Sequence, residues 1–291
     1  MLSSRELNRT WMKALRDHAV TPLQGDDGPY RAIGDGSLAF LDGLWKSRKA
    51  PLPDIGAMIE AGKTIRFYAD PHFFHRNILV MANRAGFRDV DEMDRVIWNN
   101  VERAVSESDM VVCLGDLALK NPLSVLRRMV SAFGDRHLVI TGNHDAKGAG
   151  PSAWAASGAA ASLAFSLPPG LLRAWAEADH GDLAALVEWD GLPRRVNFGC
   201  SHWPMPADRM PSASWLCLHG HIHDRPSRPL CMNVSVEAIG YEPQTLRSLV
   251  TPDLLEGLVR RQRGLSGLLQ PVDKVPGDSE PVTGARLAPS A

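Results

Sequence analysis

The sequence predicts an α/β protein in which strand–helix units come first and a strand-rich half follows. Apolar runs rich in β-branched residues, typical of buried strands, occupy residues 64–69, 110–114 and 138–141. Helical periodicity fills the segments between these three runs, which favours parallel strands joined by helices. Two further strand-like runs, 196–201 and 215–218, lie in the second half of the chain.

The two helices of the first half have recognisable start and stop signals. Asp89, with Glu92 three residues later, resembles a reciprocal N-cap pair and predicts a helix start. The second helix is predicted to begin with Asn121 as its cap and Pro122 in its first turn. Gly134 is expected to end it.

The second half contains two less regular segments. Residues 183–189 and 194–201 flank Asp190-Gly191, a dipeptide typical of a tight turn, so we expect a β-hairpin there. The Ala-rich stretch between 148 and 170 is interrupted by Gly and Pro. We expect a helix plus a loop there, near the mouth of the site described next.

A short polar block follows each of the five strand-like runs. Any one block could be an ordinary polar turn. Ligands of open α/β sheets, however, bind beyond the carboxyl ends of the strands, where all five blocks fall. Carboxylate, carboxamide and imidazole together suit two adjacent divalent transition metals. The blocks are Asp70-Pro71-His72, Gly115-Asp116, Gly142-Asn143-His144-Asp145, Ser201-His202 and Gly220-His221-Ile222-His223.

These blocks, which read DPH, GD, GNHD, SH and GHIH, resemble the pattern of the calcineurin-like metallophosphoesterase superfamily. That pattern is D-x-H, G-D, G-N-H-[DE], H and G-H-x-H. The longer strings FYADPHFFHRNI, VVCLGDLAL and LHGHIH are most similar to its small bacterial and phage phosphoesterase branch. The resemblance covers residues 64–250. It implies a four-layer α/β/β/α sandwich of two mixed β-sheets flanked by helices, the metallo-dependent phosphatase fold.

The resemblance also implies a dinuclear metal centre. One metal would be held by Asp70, His72 and His223, with Asp116 as the bridge. The second metal would be held by Asn143, His202 and His221. Mn²⁺ is the favoured ion for both positions, with Fe, Zn, Ni and Co as alternatives.

Further residues receive roles beside the metals. In the family, the position of His144 acts on the departing oxygen, by protonation or by a hydrogen bond, and the following acid, here Asp145, orients it. His219 is expected to support the last ligand pair by hydrogen bonding. The candidates for contact with substrate are His75, Arg76, Asn77 and His219.

The implied activity is hydrolysis of a phosphomonoester or phosphodiester by in-line attack of a metal-bridging hydroxide. The expected substrate is a small organic phosphate or a nucleotide. A protein Ser/Thr phosphatase fits less well, because no Asp-Arg-Gly follows Gly115-Asp116. Two alternatives stay open: a non-catalytic binding or scaffold protein on the same fold, and a nuclease of the same superfamily.

Composition limits the partners. The net charge of −1 and a pI near 6.8 provide no overall attraction for nucleic acid. No signal peptide is recognisable, and no apolar run approaches the ~18–20 residues that span a bilayer. We therefore expect a cytoplasmic protein with no membrane partner, and the oligomeric state stays open. Four cysteines fall in strand-like apolar stretches and are expected to be free buried thiols: Cys113, Cys200, Cys217 and Cys231.

Three regions are expected along the chain. Residues 1–60 form an N-terminal helical extension, 61–250 the metallophosphoesterase catalytic domain, and 251–291 the end of a helix and a disordered tail. The extension should contain helices near 5–19 and 37–45, joined by a loop at 25–36. It could pack on the core, cover the cleft or mediate dimerisation, and the sequence does not choose between these.

Overall fold

The structure, a computed structural model, describes residues 2–20, 33–147 and 149–264. Two four-stranded mixed sheets with helices packed outside them form the α/β fold that the sequence predicts. The strands are β1 (Ile65–Tyr68), β2 (Met110–Cys113), β3 (His137–Val139), β4 (Leu163–Leu167), β5 (Val196–Cys200), β6 (Trp215–His219), β7 (Cys231–Asn233) and β8 (Gln244–Thr245).

Ten α-helices lie in the described part of the chain. They are α1 (Ser4–Val20), α2 (Asp35–Ser47), α3 (Ile55–Glu60), α4 (Ile78–Met81), α5 (Val90–Ala104), α6 (Pro122–Phe133), α7 (Pro151–Ala156), α8 (Pro169–His180), α9 (Leu246–Leu249) and α10 (Pro252–Gln262). The long helices α5 and α6 connect the parallel strands of the first sheet, as the periodicity predicts.

The two sheets have similar mixed topologies. The first has the order β3-β2-β1-β8, with β8 antiparallel to its neighbour. The second has the order β4-β5-β6-β7, with β4 antiparallel to its neighbour. The remaining pairs are parallel, so their carboxyl ends lie at a common edge of each sheet.

Stacked aromatic rings join the two sheets in the core. Phe67 of β1 stacks on Phe165 of β4 with ring centroids 6.4 Å apart. Phe165 in turn stacks on Phe198 of β5 at 5.1 Å. All three side chains are fully buried, and such offset ring pairs stabilise a core beyond their buried area.

The predicted helix caps are present with one difference each. Asp89 accepts from the Glu92 backbone N–H at 2.8 Å, but the Glu92 carboxylate reaches back to the N–H of Arg88 instead of Asp89. Asn121 occupies the cap of α6 in a left-handed conformation, and its side chain makes no capping bond. Pro122 therefore begins α6 through its fixed φ angle.

The N-terminal helix α1 supplies an outer layer over the second sheet. Trp11 is fully buried and stacks on Trp215 of β6, with ring centroids 5.4 Å apart. A Cβ at Gly199 would lie 2.2 Å from the Trp11 ring, so glycine is what lets the indole approach the sheet. Asn8 exchanges two hydrogen bonds with the backbone of Ala164, an edge position of the sheet.

One prediction for the second half is wrong. The predicted strand at 183–189 is replaced by 3₁₀ turns over Gly181–Leu186 and Trp189–Gly191, so there is no hairpin about Asp190. The edge of β5 where it would have paired is occupied by β4. We expected a helix plus a loop in the Ala-rich stretch between 148 and 170, and helix α7 and residues 157–162 supply them, but strand β4 at its end was not predicted.

The remaining expectations divide between confirmed and untested. The four cysteines are free and buried, as predicted. No helix in the described part of the chain combines the length and apolar character needed to cross a membrane. The predicted tail beyond 264 and most of the loop at 25–36 lie outside the described residues.

Candidate metal centre

Predicted ligand residues from both sheets meet at one edge of the sandwich. The segments after β1, β2 and β3 bring Asp70, His72, Asp116 and Asn143 from the first sheet, while those after β5 and β6 bring His202, His221 and His223 from the second. His221 and Asp70 join the two sets directly, since the His221 backbone N–H donates to Asp70 Oδ2 at 2.8 Å.

One half of the cluster has the spacing of ligands around a single ion. Asp70, His72 and His223 offer ligand atoms that all lie within 4.8 Å of one another. His72 Nε2 is 3.7 Å from Asp70 Oδ1. Two atoms that each lie about 2.1 Å from one metal ion are roughly 3.0–3.5 Å apart, so this arrangement is slightly wider than a bound site.

The other half is similarly close. His202 Nε2 lies 3.0 Å from Asn143 Oδ1 and 3.2 Å from His221 Nδ1. An amide oxygen and two imidazole nitrogens at these separations have the spacing of ligands to one first-row metal ion. Asn143 and His221 are partly exposed, whereas His202 is fully buried.

Asp116 lies between the two halves. Its Oδ2 atom is 3.6 Å from His72 Nε2 and 3.4 Å from His202 Nε2. Its Oδ1 atom accepts a hydrogen bond from the His144 backbone N–H at 2.8 Å, which fixes the carboxylate plane. Asp116 is therefore placed to share its carboxylate between two ions.

Two ligand atoms have no partner where buried polar atoms normally have one. Asp70 Oδ1 and His72 Nε2 are buried, and neither has a hydrogen-bond partner among the described residues. Both point into the space between the ligands. Two carboxylates, one carboxamide and four imidazoles form a donor set that late first-row divalent ions favour, so the residues fit a metal pair.

The backbone is strained at the ligand positions. Only ten non-glycine residues in the described part of the chain have positive φ angles, a conformation that costs most side chains free energy. Five of the ten are predicted ligands: Asp70, His72, Asp116, His221 and His223. Strain concentrated in this way is typical of a functional site that the surrounding fold holds in place.

Two glycines of the motifs leave room for the carboxylates. A Cβ at Gly142 would lie 2.3 Å from Asp116 Oδ1, and a Cβ at Gly220 would lie 2.3 Å from Asp70 Oδ2. Any larger residue would push the carboxylate out of position. Gly142 and Gly220 are therefore part of the site geometry.

Hydrogen bonds fix the orientation of two imidazoles. His202 Nδ1 donates to the carbonyl oxygen of Leu114 at 2.9 Å, and His223 Nδ1 donates to Glu237 Oε1 at 2.9 Å. In each ring this leaves the Nε2 lone pair for a metal ion, which is how metal-binding histidines are usually held.

Three supporting residues were not predicted from the sequence. Ser235 Oγ donates to Asp70 Oδ2 at 2.8 Å. Arg84, which is buried, forms an ion pair with Glu237 and donates to the carbonyl oxygens of Asp70 and Pro71. Polar residues alternate with valines from 233 to 237, and this pattern could have indicated that Ser235 and Glu237 share a side.

The charges of the ligands are coupled. Burial alone would raise the carboxyl pKa values of Asp70 and Asp116, but nearby imidazoles, above all His202, bring both below their usual range. Burial likewise opposes protonation of His202, yet Asp116 and Asp70 raise its pKa to about 9. A cation is thus stabilised between the two carboxylates, as expected of a site for metal ions.

Among the described residues no hydrogen bond joins the Asp145 carboxylate to the His144 imidazole, so the orienting role of Asp145 stays a prediction. Its carboxylate accepts hydrogen bonds from the backbone N–H groups of Asp116, Leu117 and Gly142, at 2.8–3.0 Å. These three bonds tie two ligand loops together. His144 Nδ1 is buried without a hydrogen-bond partner among the described residues.

His144 itself lies within the cluster. Its Nε2 atom is 3.9 Å from Asp116 Oδ2, and its ring packs edge-on against His72 with centroids 5.1 Å apart. The ligand atoms of His72, Asp116 and His144 fall within 4.8 Å of one another. The geometry therefore allows His144 either to act next to the metal ions or to bind one of them as a further ligand.

The four residues predicted to contact substrate occupy different environments in the structure. His75 is buried, with Nδ1 3.4 Å from His72 Nδ1 and its ring 5.9 Å from that of His144. Arg76 and Asn77 are exposed at the start of α4. His219 Nδ1 donates to the Gly220 carbonyl oxygen, its Nε2 shares a hydrogen bond with Ser227 Oγ, and among the described residues no hydrogen bond joins its ring to a ligand side chain.

Comparison with known proteins is consistent with this geometry. Residues 63–256 match the sequence profile described as calcineurin-like phosphoesterase, a segment that contains all seven predicted ligands. An uncharacterized protein of Methanocaldococcus jannaschii is 27% identical over 198 residues, which are 65% of this chain and 90% of that protein. The crystal structure of a protein of unknown function from Aquifex aeolicus is 20% identical, covers 64% of this chain and 96% of its own, and superposes with a TM-score of 0.41.

Proposed function

The chain belongs to the calcineurin-like phosphoesterase family, and from that membership we propose that it hydrolyses a phosphate ester with two divalent metal ions. The observation that carries the proposal is the position of Asp116. One of its oxygens lies within 3.6 Å of an imidazole nitrogen on each side, at His72 and at His202. A shared carboxylate flanked by imidazoles is the arrangement that a metal pair requires.

Each residue of the centre has a proposed role. Asp70, His72 and His223 hold one ion and Asn143, His202 and His221 the other, with Asp116 between them. When bound, the ions supply an activated water and positive charge opposite the phosphoryl oxygens. Mn²⁺ is the proposed ion, because the donor set mixes oxygen with imidazole nitrogen.

His144 is proposed to act on the leaving group. Its backbone N–H holds Asp116, and its imidazole reaches the same carboxylate from the partly exposed side of the cluster. The unpartnered Nδ1 atom leaves the ring free to turn toward a departing oxygen and to hydrogen-bond or protonate it. Asp145 acts indirectly, by fixing the loops that carry Asp116 and Asn143.

Hydrolysis of bis-p-nitrophenyl phosphate and p-nitrophenyl phosphate with added Mn²⁺ tests the proposal. We expect the wild type to cleave at least one of them. Cleavage of the diester would define a phosphodiesterase, and cleavage of the monoester alone a phosphatase. His144→Ala should retain its metal and lose about 10²–10⁴-fold in turnover.

His180→Ala, at the far end of α8, is the matched control and should keep full activity. A metal-loaded wild type that cleaves neither ester would contradict the proposal. Equal turnover by His144→Ala and wild type would remove His144 from the mechanism. An inactive wild type that binds no metal would favour a scaffold protein instead.

A further inference from the structure

A cavity of about 450 Å³ opens beside the metal-ligand loop, between helices α5 and α6. Both helices follow parallel strands of the first sheet, so their first turns lie at the same edge as the candidate metal centre. Phe73 and Phe74, which line the cavity, belong to the loop between His72 and His75. The loop that carries the predicted metal ligand His72 therefore also lines the cavity.

The cavity is lined by planar groups. Phe74 is 47% exposed, which is unusual for a phenylalanine, and it has a strained φ of 62°. Arg128 and Trp98 also line the cavity, and the Arg128 guanidinium lies over the Trp98 ring, 3.8 Å from the ring centroid. An exposed aromatic ring and a stacked guanidinium are the surfaces on which proteins stack nucleobases.

The polar groups of the cavity are incompletely paired. Asp94 Oδ2 accepts from the Phe74 backbone N–H at 2.9 Å, while its buried Oδ1 has no hydrogen-bond partner among the described residues. Burial raises the pKa of this carboxyl to about 6, so it is held at a cost that a ligand donor would offset. Arg95 and Arg128 have no carboxylate within ion-pair distance in the described part of the chain.

We infer that this cavity binds the nucleoside part of a nucleotide whose phosphate lies at the metal centre. The base stacks between Phe74 and the Arg128 guanidinium, with Arg95 near its acceptor edge. A ribose hydroxyl donates to the carboxylate of Asp94. This inference rests on the proposed function for the position of the phosphate, and it selects nucleotides over small organic phosphates as the substrate class.

The chain geometry is compatible with such a ligand. Phe74 is two residues from His72, so its backbone lies at most about 7 Å along the chain from that ligand. A ribose is the natural spacer between a phosphate at the metals and a base on Phe74. A small phosphate without a base would leave Phe74 exposed and Asp94 unpaired.

Calorimetric titration of the full-length, Mn²⁺-loaded protein with AMP and with ribose 5-phosphate tests the inference. The two probes share phosphate and ribose and differ in the base. We expect AMP to bind about tenfold more tightly, as one base stacked on an aromatic ring provides. In Phe74→Ala the affinity for AMP should fall to that for ribose 5-phosphate, which should itself be unchanged.

Arg128→Ala should also weaken AMP binding selectively, whereas Arg127→Ala, its exposed neighbour on the same helix outside the cavity, should not. If Phe74→Ala weakens the binding of both probes, the substitution has moved the loop that carries His72. The inference is then tested by comparing AMP binding in Arg128→Ala and Arg127→Ala. Equal affinities of the wild type for AMP and ribose 5-phosphate would overturn the inference, as would AMP binding unchanged in Arg128→Ala.

Hydrolysis of bis-p-nitrophenyl phosphate by the same preparation separates the two proposals. Turnover of this ester without tighter binding of AMP than of ribose 5-phosphate would support the proposed phosphoesterase and contradict the nucleoside-binding cavity. Tighter binding of AMP than of ribose 5-phosphate that is lost in Phe74→Ala, in a protein without turnover, would support the nucleoside-binding cavity and contradict the proposed hydrolase.

Discussion

Arg84 and Glu237 support the proposed metal ligands through hydrogen bonds. Glu237 Oε1 accepts from His223 Nδ1 and from the guanidinium of Arg84, which also donates to the backbone carbonyl oxygen of Asp70. One buried ion pair thereby orients an imidazole and holds the loop of a carboxylate. Partners of this kind set the basicity and orientation of metal ligands.

Glu237→Gln should weaken metal binding without unfolding the protein. The amide keeps the size of the side chain but loses the charge that orients His223 and balances Arg84. We expect the affinity for Mn²⁺ to fall roughly 10–100-fold, measured by competition with a chelator. Glu242→Gln, whose carboxylate pairs with Arg103 at the surface, is the control and should bind Mn²⁺ normally. Unchanged affinity in Glu237→Gln would show that His223 is positioned by other contacts.

The sequence predicts the metal ligands better than it predicts the residues that position them, and the reason is physical. Asp116 and Asn143 follow buried strands within contiguous glycine-containing blocks, since the tight approach of two loops demands glycine at a fixed position beside each carboxylate. Arg84 and Glu237 meet only through the tertiary fold, and the alternation of polar residues with valines that includes Glu237 does not indicate Arg84 as its partner. Asp145 was placed in the right loop, but its bonds to three backbone amides depend on a neighbouring loop.

At the scale of the elements, the strands next to the site were predictable from the sequence, whereas β4, the edge strand of the second sheet, was not. Strands such as β2 are buried on both faces and therefore read as continuous apolar runs. Strand β4 contains leucine, alanine and serine in an Ala-rich context, with no β-branched residue to mark it. Residues 183–189 contain a similar composition but form 3₁₀ turns, because β4 already occupies the sheet edge.

The packing of α1 on the second sheet is expected to be a major contribution to stability. Trp11→Ala would leave a large cavity above Gly199 and remove the stack on Trp215. We expect the free energy of unfolding to fall by about 3–5 kcal/mol, measured by urea denaturation. Leu186→Ala, at an exposed position, should change it by less than about 0.5 kcal/mol. A small effect at Trp11 would mean that α1 is not an integral layer of the fold.

Strand β3 begins with a buried histidine that should make stability depend on pH. Burial lowers the pKa of His137 from 6.5 to about 3. Above pH 6.5 the imidazole is neutral in both states, whereas between 6.5 and 3 the unfolded chain alone binds a proton, so falling pH favours unfolding. Between pH 7 and pH 5 the wild type should lose about 2 kcal/mol more stability than His137→Gln, measured by urea denaturation. Parallel loss in both proteins would mean that His137 is accessible to protons in the folded state.

At the scale of the whole molecule, the candidate metal centre lies where the two sheets meet. Asp70 comes from the first sheet and His202 from the second, with Asp116 between them. The resemblance of the motifs predicted the two-sheet sandwich and this shared edge. It could not predict that α1 would cover the second sheet, because the motifs begin only after residue 60.

Because the proposed ligands come from both sheets, metal binding should stabilise the folded protein as a whole. At a metal concentration 100-fold above Kd, binding adds about 2.7 kcal/mol to the free energy of unfolding. Removal of Mn²⁺ by a chelator should therefore lower Tm by roughly 5–10 °C, measured by scanning calorimetry. Asp116→Asn should have lost most of this response, while Asp182→Asn, at the surface, should keep it. An equal response in both variants would place the metal elsewhere.

The most direct test of the proposed centre is the number of Mn²⁺ ions bound per chain at saturation, measured by equilibrium dialysis and elemental analysis. Six proposed ligands arranged about the carboxylate of Asp116 predict two ions for the wild type and fewer for Asp116→Asn. One ion or none in the wild type would contradict a dinuclear centre. Two ions that persist in Asp116→Asn would contradict the bridging role of that carboxylate.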